Sequence, residues 1–449
     1  LITINDGSSD ETEEYFNSLP HEKKINLKYN VYNHLGWGIA RHIVEGEYVV
    51  YFSNDAVATP RWLENLLAVH AAEQDVFWVV PTCNEECISN AQGIPVDYAN
   101  TFEDMEKMQA FAARNNVSNP LLWEERAILM PFVSVVPNLF DVPEIRADYR
   151  YTMCDFEDDD FSAMLRRSGF RQILAKDTFV HHFGGMTLNE VRTKRGKYKS
   201  IVSMRPVFYE KWKVDPWESR GHLYFVDVFL KELCVLHVPV RILIIEPRFC
   251  EGLLYIRNHF RRLQKKVVID AIVTDAHYLA DVQYMADSVR RLPSLDHLAE
   301  ELFGCYDIIL IGAALNDLDI PHIIPFFQTC HEHLHVHGFI YASLHNFNSF
   351  EHTMESLTNE IPFLAYPLIL PLEGRRILPT ARLVEALKVQ FSTDAVRVGY
   401  MSVGHNFEGG GTFINVTGQL LDASGDEKGR VQQLLMGDVV AVRIKKQDI

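Results

Sequence analysis

The chain has 449 residues, 47% hydrophobic and 23% charged, an ordinary globular composition with material for two or three domains. Its net charge of −17 argues against a general binder of nucleic acid or anionic membrane, and the basic residues at 192, 194, 195, 197 and 199 read as a solvated surface. Seven cysteines without framework spacing, and no signal-like or membrane-length apolar run, predict a cytoplasmic protein with no integral membrane segment.

The first apolar run, residues 1–4, ends in Asn5-Asp6-Gly7-Ser8-Ser9-Asp10 and passes into Glu-rich helical sequence. A second run over 48–52 ends in Ser53-Asn54-Asp55, after which Pro60-Arg61-Trp62-Leu63 opens a helix. A third, 76–80, stops at Pro81. Strands alternating with helices predict a parallel-rich α/β sheet whose ligands gather at the C-terminal strand ends, where Asp6 and Asp55 lie. A carboxylate there suits base or ribose hydrogen bonds, and a second suits a hard cation gripping a diphosphate. Asp-Gly-Ser is equally a common turn sequence. Cys83 and Cys87 have no second ligand pair after them and read as free thiols.

Further on, Asp155, Glu157, Asp158, Asp159 and Asp160 crowd the start of an amphipathic run. Phe161, Met164 and Leu165 fall at i, i+3 and i+4, and Gly169 supplies a stop, so the acids occupy the first turn of a helix. A helix N-terminus stabilises one or two carboxylates. A larger group repels itself, which points to a metal, a substrate or a catalytic task.

In their order these segments resemble the family 2 glycosyltransferases of the GT-A fold, nearest to those of surface-polysaccharide and flagellin glycosylation. Asn5-Asp6-Gly7-Ser8 looks like the first nucleotide-binding turn, and Asn33, Gly36, Gly38 and Arg41 match the Asn-x-Gly…Gly-x-Ala-Arg segment beside the diphosphate. Ser53-Asn54-Asp55 stands at the metal motif, Glu157-Asp158-Asp159-Asp160 at the acidic segment, and 180–185 at the late His-x-Gly-Gly segment. The resemblance implies that Asn5, Asp6, Ser8, Asn33, Gly36, Gly38, Arg41, Asn54 and Asp55 bind the nucleotide-sugar. It further implies that Asp55 and His182 hold a divalent metal, manganese or magnesium, and that Asp158 is the catalytic base, with Glu157 and Asp160 orienting the acceptor. His181 reads as either a site residue or a polar turn residue. Such enzymes normally begin one strand and helix earlier, so that unit is expected to be missing from 1–215, the glycosyltransferase domain.

A helical connector over 216–238 leads to a second α/β pattern, 239–449, with strand runs at 241–246, 267–273, 306–312 and 338–343. The stretch 306–346 resembles class I S-adenosylmethionine-dependent methyltransferases. Their glycine-rich cofactor loop is replaced by Glu246-Pro247-Arg248-Phe249-Cys250-Glu251-Gly252, whose side chains would fill the approach that glycine leaves open. His331, His333, His335 and His337 would share a face only on an extended run, and read as a helix end and turn. Gly409-Gly410-Gly411 lacks a following Lys-Ser/Thr and reads as a turn.

The expected fold is thus a GT-A nucleotide-sugar-binding domain followed by a Rossmann-like domain. The expected activity is inverting, metal-dependent transfer from a nucleotide-sugar to a glycan or protein acceptor, flagellin among the candidates, with no nucleic-acid partner. The alternatives are a non-catalytic protein-binding scaffold and a bifunctional glycosyltransferase/methyltransferase.

Overall fold

A computed structural model of the chain describes residues 1–31, 33–84, 92–139, 145–151, 156–184, 199–216, 239–248, 252–312, 318, 320–345, 380–401 and 439–447. Cys87, Asp155, Gly185, the basic residues at 192–197, most of the 216–238 connector and the triple glycine at 409–411 lie outside them. The chain divides into two compact units, Leu1–Asp215 and Pro216–Ile449.

The first unit opens with β1 (Ile2–Asn5), α1 (Thr12–Ser18), β2 (Lys23–Asn26) and α2 (Asn33–Ala40), the two strands paired in parallel. Then come β3 (Tyr48–Phe52), β4 (Ala56–Val57), α3 (Trp62–Ala72), β5 (Val76–Thr82), α4 (Met105–Asn115) and β6 (Trp123–Glu125). The unit ends with β7 (Val133–Pro137), α5 (Glu157–Arg167), β8 (Arg171–Phe179), β9 (His181–His182) and α6 (Lys199–Trp212).

Five of these strands form one sheet in the order β3-β7-β5-β8-β6, and β4 pairs with β9. The sheet departs from the parallel-rich expectation. β7 runs antiparallel between β3 and β5, β6 is antiparallel to β8, and only β5 and β8 pair in parallel. The 133–137 stretch supplies the reason: Val133, Val135 and Val136 are buried, giving it apolar residues for both faces, as an internal strand needs.

The core sets the acidic helix in place. Trp78 of β5 is fully buried and stacks on Phe161 of α5 with ring centroids 4.9 Å apart, while Met164 and Leu165 are buried beside it. Each such side chain contributes about 1.5–3 kcal/mol through burial. The helix stops where Gly169 turns left-handed, at φ 86°, and gives its N–H to the Arg166 carbonyl.

The second unit contains β10 (Val240–Ile245), α7 (Gly252–Arg262), β11 (Val267–Val273), α8 (Leu279–Met285), β12 (Ser288–Arg291) and β13 (Tyr306–Ile311). After them come α9 (Ile320–Glu332), β14 (Leu334–His345), α10 (Thr380–Phe391), β15 (Val396–Met401) and β16 (Val439–Lys445). Its sheet runs β12-β11-β10-β13-β14-β16-β15, with β16 antiparallel to both neighbours and the first five strands parallel. That is the doubly wound order, which changes direction between β10 and β13, with an antiparallel strand inserted near one edge.

At the end of β10, Glu246 and Arg248 have φ of 53° and 50°, the left-handed region that favours glycine, although both carry side chains. The histidine run divides between elements: His331 lies in α9, while His335 and His337 lie in β14. Among the described residues no group of three or more His, Cys, Asp or Glu could hold a metal ion.

Candidate active site

The strand-end turn after β1 is shaped by its own side chains. Asn5 is buried and its Oδ1 accepts the Ser8 N–H at 3.0 Å, so Asn5 folds the loop that exposes Ser8. Asp6 Oδ1 accepts the Val31 N–H at 2.7 Å, tying the loop after β1 to the segment that leads into α2. Gly7 has φ 68°, and a Cβ there would lie 2.6 Å from the Asn30 backbone nitrogen, which closes the position to larger residues.

On α2, Gly36 packs on β1, its Cβ position 3.9 Å from Ile4 Cγ2, whereas Gly38 faces open space. The Asn33 side chain lies outside the described residues. Arg41, just beyond α2, reaches the Ile145 carbonyl at 3.3 Å.

β3 delivers the Ser53-Asn54-Asp55 turn. The strand ends at Phe52, and a turn closed by the Ala56 N–H on the Ser53 carbonyl at 3.1 Å folds Asp55 back beside Ser53. Ser53 Oγ donates to Asp55 Oδ1, and His182 Nε2 lies 3.1 Å from the same oxygen. The His182 contact spans 127 positions of sequence, and the antiparallel pairing of Ala56 with His182 brings it about. Burial alone would raise the Asp55 pKa, but the hydrogen bonds from His182 and Ser53 outweigh it and hold the carboxyl below its ordinary value.

Sequence reasoning missed Tyr51. Its ring lies against Trp37, centroids 3.9 Å apart. Burial raises its pKa, and the charges of Asp158, Glu157 and Asp55 raise it further, so the phenol stays protonated among three carboxylates. Its place one residue before the end of β3, beside the Ser53-Asn54-Asp55 turn, was the available signal.

The acidic helix separates its carboxylates. Phe156, before it, has φ 67°, a strained conformation for an aromatic residue, and is buried 6.0 Å from Phe208. Glu157, Asp159 and Asp160 are buried, while Asp158 is partly exposed. Asp160 is engaged by three side chains of its own unit. Tyr151, Lys211 and Trp212 donate to it at 3.2, 2.8 and 2.6 Å, so it fastens α5 to α6. Burial raises its pKa, only partly offset by Lys211 and Trp212.

Adjacent residues on a strand face opposite ways, so the two histidines part. His181 is fully buried, with Nδ1 3.0 Å from the Tyr98 hydroxyl and Nε2 2.9 Å from Asn100 Oδ1. Asn100 Oδ1 can only accept, so Nε2 carries the proton and Nδ1 accepts from Tyr98. Burial, followed by the charge of His182, pushes the His181 pKa down to about 4. Because the unfolded chain takes the proton near 6.5, stability carried by neutral His181 is complete above that pH. It is lost as pH falls towards about 4. Urea unfolding followed across this window should show that decline in the wild type, and His181→Gln, although weaker at neutral pH, should flatten it.

Residues 1–118 match the sequence profile described as Glycosyl transferase family 2. The first unit carries a family 2 glycosyl transferase domain. The chain is thereby a glycosyltransferase, and an enzyme of this family takes a nucleotide-sugar donor and an acceptor. The matched segment contains Asp6, Gly36, Arg41 and Asp55 but ends before the acidic helix and His182.

No curated protein matches the chain. Solved structures similar to it include a SAM-dependent methyltransferase from Archaeoglobus fulgidus, at 10% identity and TM-score 0.33, covering 54% of this chain and 98% of that one. The plantazolicin methyltransferase has 13% identity and TM-score 0.32, covering 58% and 98%. Magnesium protoporphyrin IX methyltransferase from Synechocystis has 9% identity and TM-score 0.32, covering 51% and 85%. The strand order described above stands independently of these likenesses.

Proposed function

We propose that the first unit, residues 1–215, is an inverting glycosyltransferase that uses a divalent cation, manganese or magnesium, and transfers a sugar to a hydroxyl of a glycan or protein such as flagellin. The observation that carries this reading is the meeting of Asp55 with His182 beside the Asp158 end of the acidic helix, with Tyr51 common to both. Asp55 and His182 would hold the cation. Their 3.1 Å separation suits neighbouring ligands on a six-coordinate ion, whose bonds of about 2.1 Å put such atoms about 3 Å apart. Two protein ligands leave positions for donor phosphates and water, as small hard cations require.

When bound, the cation neutralises charge on the departing diphosphate. The chain's own residues do the rest. Asp6 contacts the base, with the turn and the Gly36–Gly38 segment along the nucleotide. Asp158, partly exposed where Glu157, Asp159 and Asp160 are buried, takes the proton from the acceptor hydroxyl as that oxygen attacks the anomeric carbon from the face opposite the leaving group. Tyr51, kept protonated, donates a hydrogen bond into the site, and Asp160 positions the helix.

Residues 216–238 are proposed as a connector and 239–449 as a methyltransferase-like domain that has lost its cofactor and serves to bind or position an acceptor protein. Arg248 in a glycine-favouring conformation supports that loss. Among the described residues Cys83, Cys305 and Cys330 form no disulfide, which suits a cytoplasmic setting, and no helix there is long and apolar enough to cross a membrane.

Thermal-shift titration of the full chain tests both halves. A nucleoside diphosphate with manganese or magnesium should raise the melting temperature, because a ligand that binds only the folded state stabilises it. S-adenosylmethionine should not. No response to any nucleoside diphosphate would remove the donor site, and saturable micromolar S-adenosylmethionine binding would restore the bifunctional alternative.

A further inference from the structure

Trp37 lies between Gly36 and Gly38 on α2, the segment proposed to run along the nucleotide, and it is partly buried. The helix rests on β1 through Gly36, whose Cβ position is 3.9 Å from Cγ2 of Ile4, the residue before the Asn5-Asp6 turn. The indole itself meets two rings. Tyr51 of β3 is 3.9 Å away between centroids, with the planes at 48°, and Trp78 of β5 is 6.4 Å away and edge-on at 80°.

Each of those rings leads to a different part of the candidate site. Tyr51 is two residues before Ser53, whose hydroxyl donates to Asp55, and the charges of Asp158, Glu157 and Asp55 all bear on its phenol. Trp78 stacks on Phe161 of α5, centroids 4.9 Å apart and planes within 25°. Asp158 and Phe161 are i and i+3 on that helix, so they are surface neighbours and a displacement of the ring carries the carboxylate with it. The helix is not held there by its own preferences. Phe156, its N-cap, has φ 67°, and a residue other than glycine keeps such a conformation only where its surroundings impose it. Phe208, Lys211 and Trp212 impose it from α6, and the Trp78 stack imposes it from the sheet.

We infer that Trp37 is a positioning residue for transfer, the side chain through which a nucleotide settling along α2 fixes the place of the acidic helix. The inference rests on the glycosyltransferase reading and adds to it a physical link between the donor side and the acceptor side. Two glycines within eight residues make α2 intrinsically weak, since glycine loses more backbone freedom in a helix than other residues, so a ligand along the segment has something to order. Ordering α2 seats the indole against Tyr51 and Trp78 together. Close-packed rings deform little, and the placement passes on to Phe161 and so to the first turn of α5. An aliphatic side chain at 37 would keep apolar contact and lose that geometry.

Hydrogen exchange on the full chain, read by mass spectrometry with and without UDP, GDP, CDP or dTDP and manganese, tests this. In the wild type, the nucleotide that raises the melting temperature should slow exchange about fivefold or more in peptides spanning 157–167, as well as in those spanning 33–41. Trp37→Leu should keep the melting shift but hold the slowing at 157–167 to about twofold or less, and Trp37→Phe should fall between the two. A side chain that only fills the core would instead speed exchange at 157–167 equally with and without nucleotide, leaving the ligand-dependent slowing intact in Trp37→Leu, and that result overturns the inference. So does a wild type that shows the melting shift with no added protection at 157–167. If Trp37→Leu does not fold, Trp37→Phe decides alone, and full wild-type slowing in it overturns the inference. Absence of a melting shift with all four nucleotides in the wild type would instead bring down the glycosyltransferase reading, and this inference with it.

Discussion

Asp158→Asn is expected to lower sugar transfer by roughly 10²–10⁴-fold, the usual contribution of a general base, while leaving nucleoside-diphosphate affinity largely unchanged. The amide keeps the size and hydrogen-bonding reach of the carboxylate but cannot take the acceptor's proton at neutral pH, so the loss belongs in turnover. Asp158 is the partly exposed carboxylate of the first turn, whereas Glu157, Asp159 and Asp160 are buried. Glu157→Gln should therefore be milder. Asp160→Asn should show mainly as lower stability, because Tyr151, Lys211 and Trp212 all donate to that carboxyl. Turnover, donor affinity and circular dichroism measured together separate these effects. Near-normal turnover in a folded Asp158→Asn, with transfer abolished in Glu157→Gln, would move the base to Glu157.

How far this site could be read from sequence depended on the range of the interactions that build it. Helix α5 was legible because its apolar spacing and its glycine stop act within one segment, and Phe161, Met164 and Leu165 do form its buried face. β11 was legible for a similar reason, as an apolar run with polar ends. The insertion of β7 between β3 and β5 was not, since strand order is a matter of partners distant in the chain. Adjacent His181 and His182 looked alike until β9 turned one to Asp55 and the other to Tyr98 and Asn100. Asp160 was grouped with the catalytic acids because composition does not reveal burial, and its partners come from residues 151, 211 and 212. Tyr51 went unnoticed inside an apolar strand run, because its polar end matters only once the carboxylates of α5 are brought up to it.

Asp55→Ala is expected to abolish the metal dependence of donor binding and to reduce transfer on the order of 10²-fold, in line with the several kcal/mol a cation contributes to charge stabilisation at a leaving group. Within Ser53-Asn54-Asp55 it is the sole carboxylate, and His182 alone would be a neutral, single ligand. The substitution also removes the acceptor of the Ser53 and His182 hydrogen bonds, so some loosening of the β4–β9 pair is expected even without metal. His182→Ala separates the two consequences. It should weaken metal-assisted binding yet leave Asp55 with its Ser53 partner, giving a smaller loss and a residual manganese response. Asp55→Asn keeps the hydrogen bonds of the turn and removes only the charge. If Asp55→Asn matches Asp55→Ala in donor affinity at saturating manganese, the charge carries the effect, as a metal ligand requires. If Asp55→Asn instead retains wild-type metal-dependent affinity and turnover, Asp55 is a structural brace of the β4–β9 pair and the cation, if one is used, is held elsewhere.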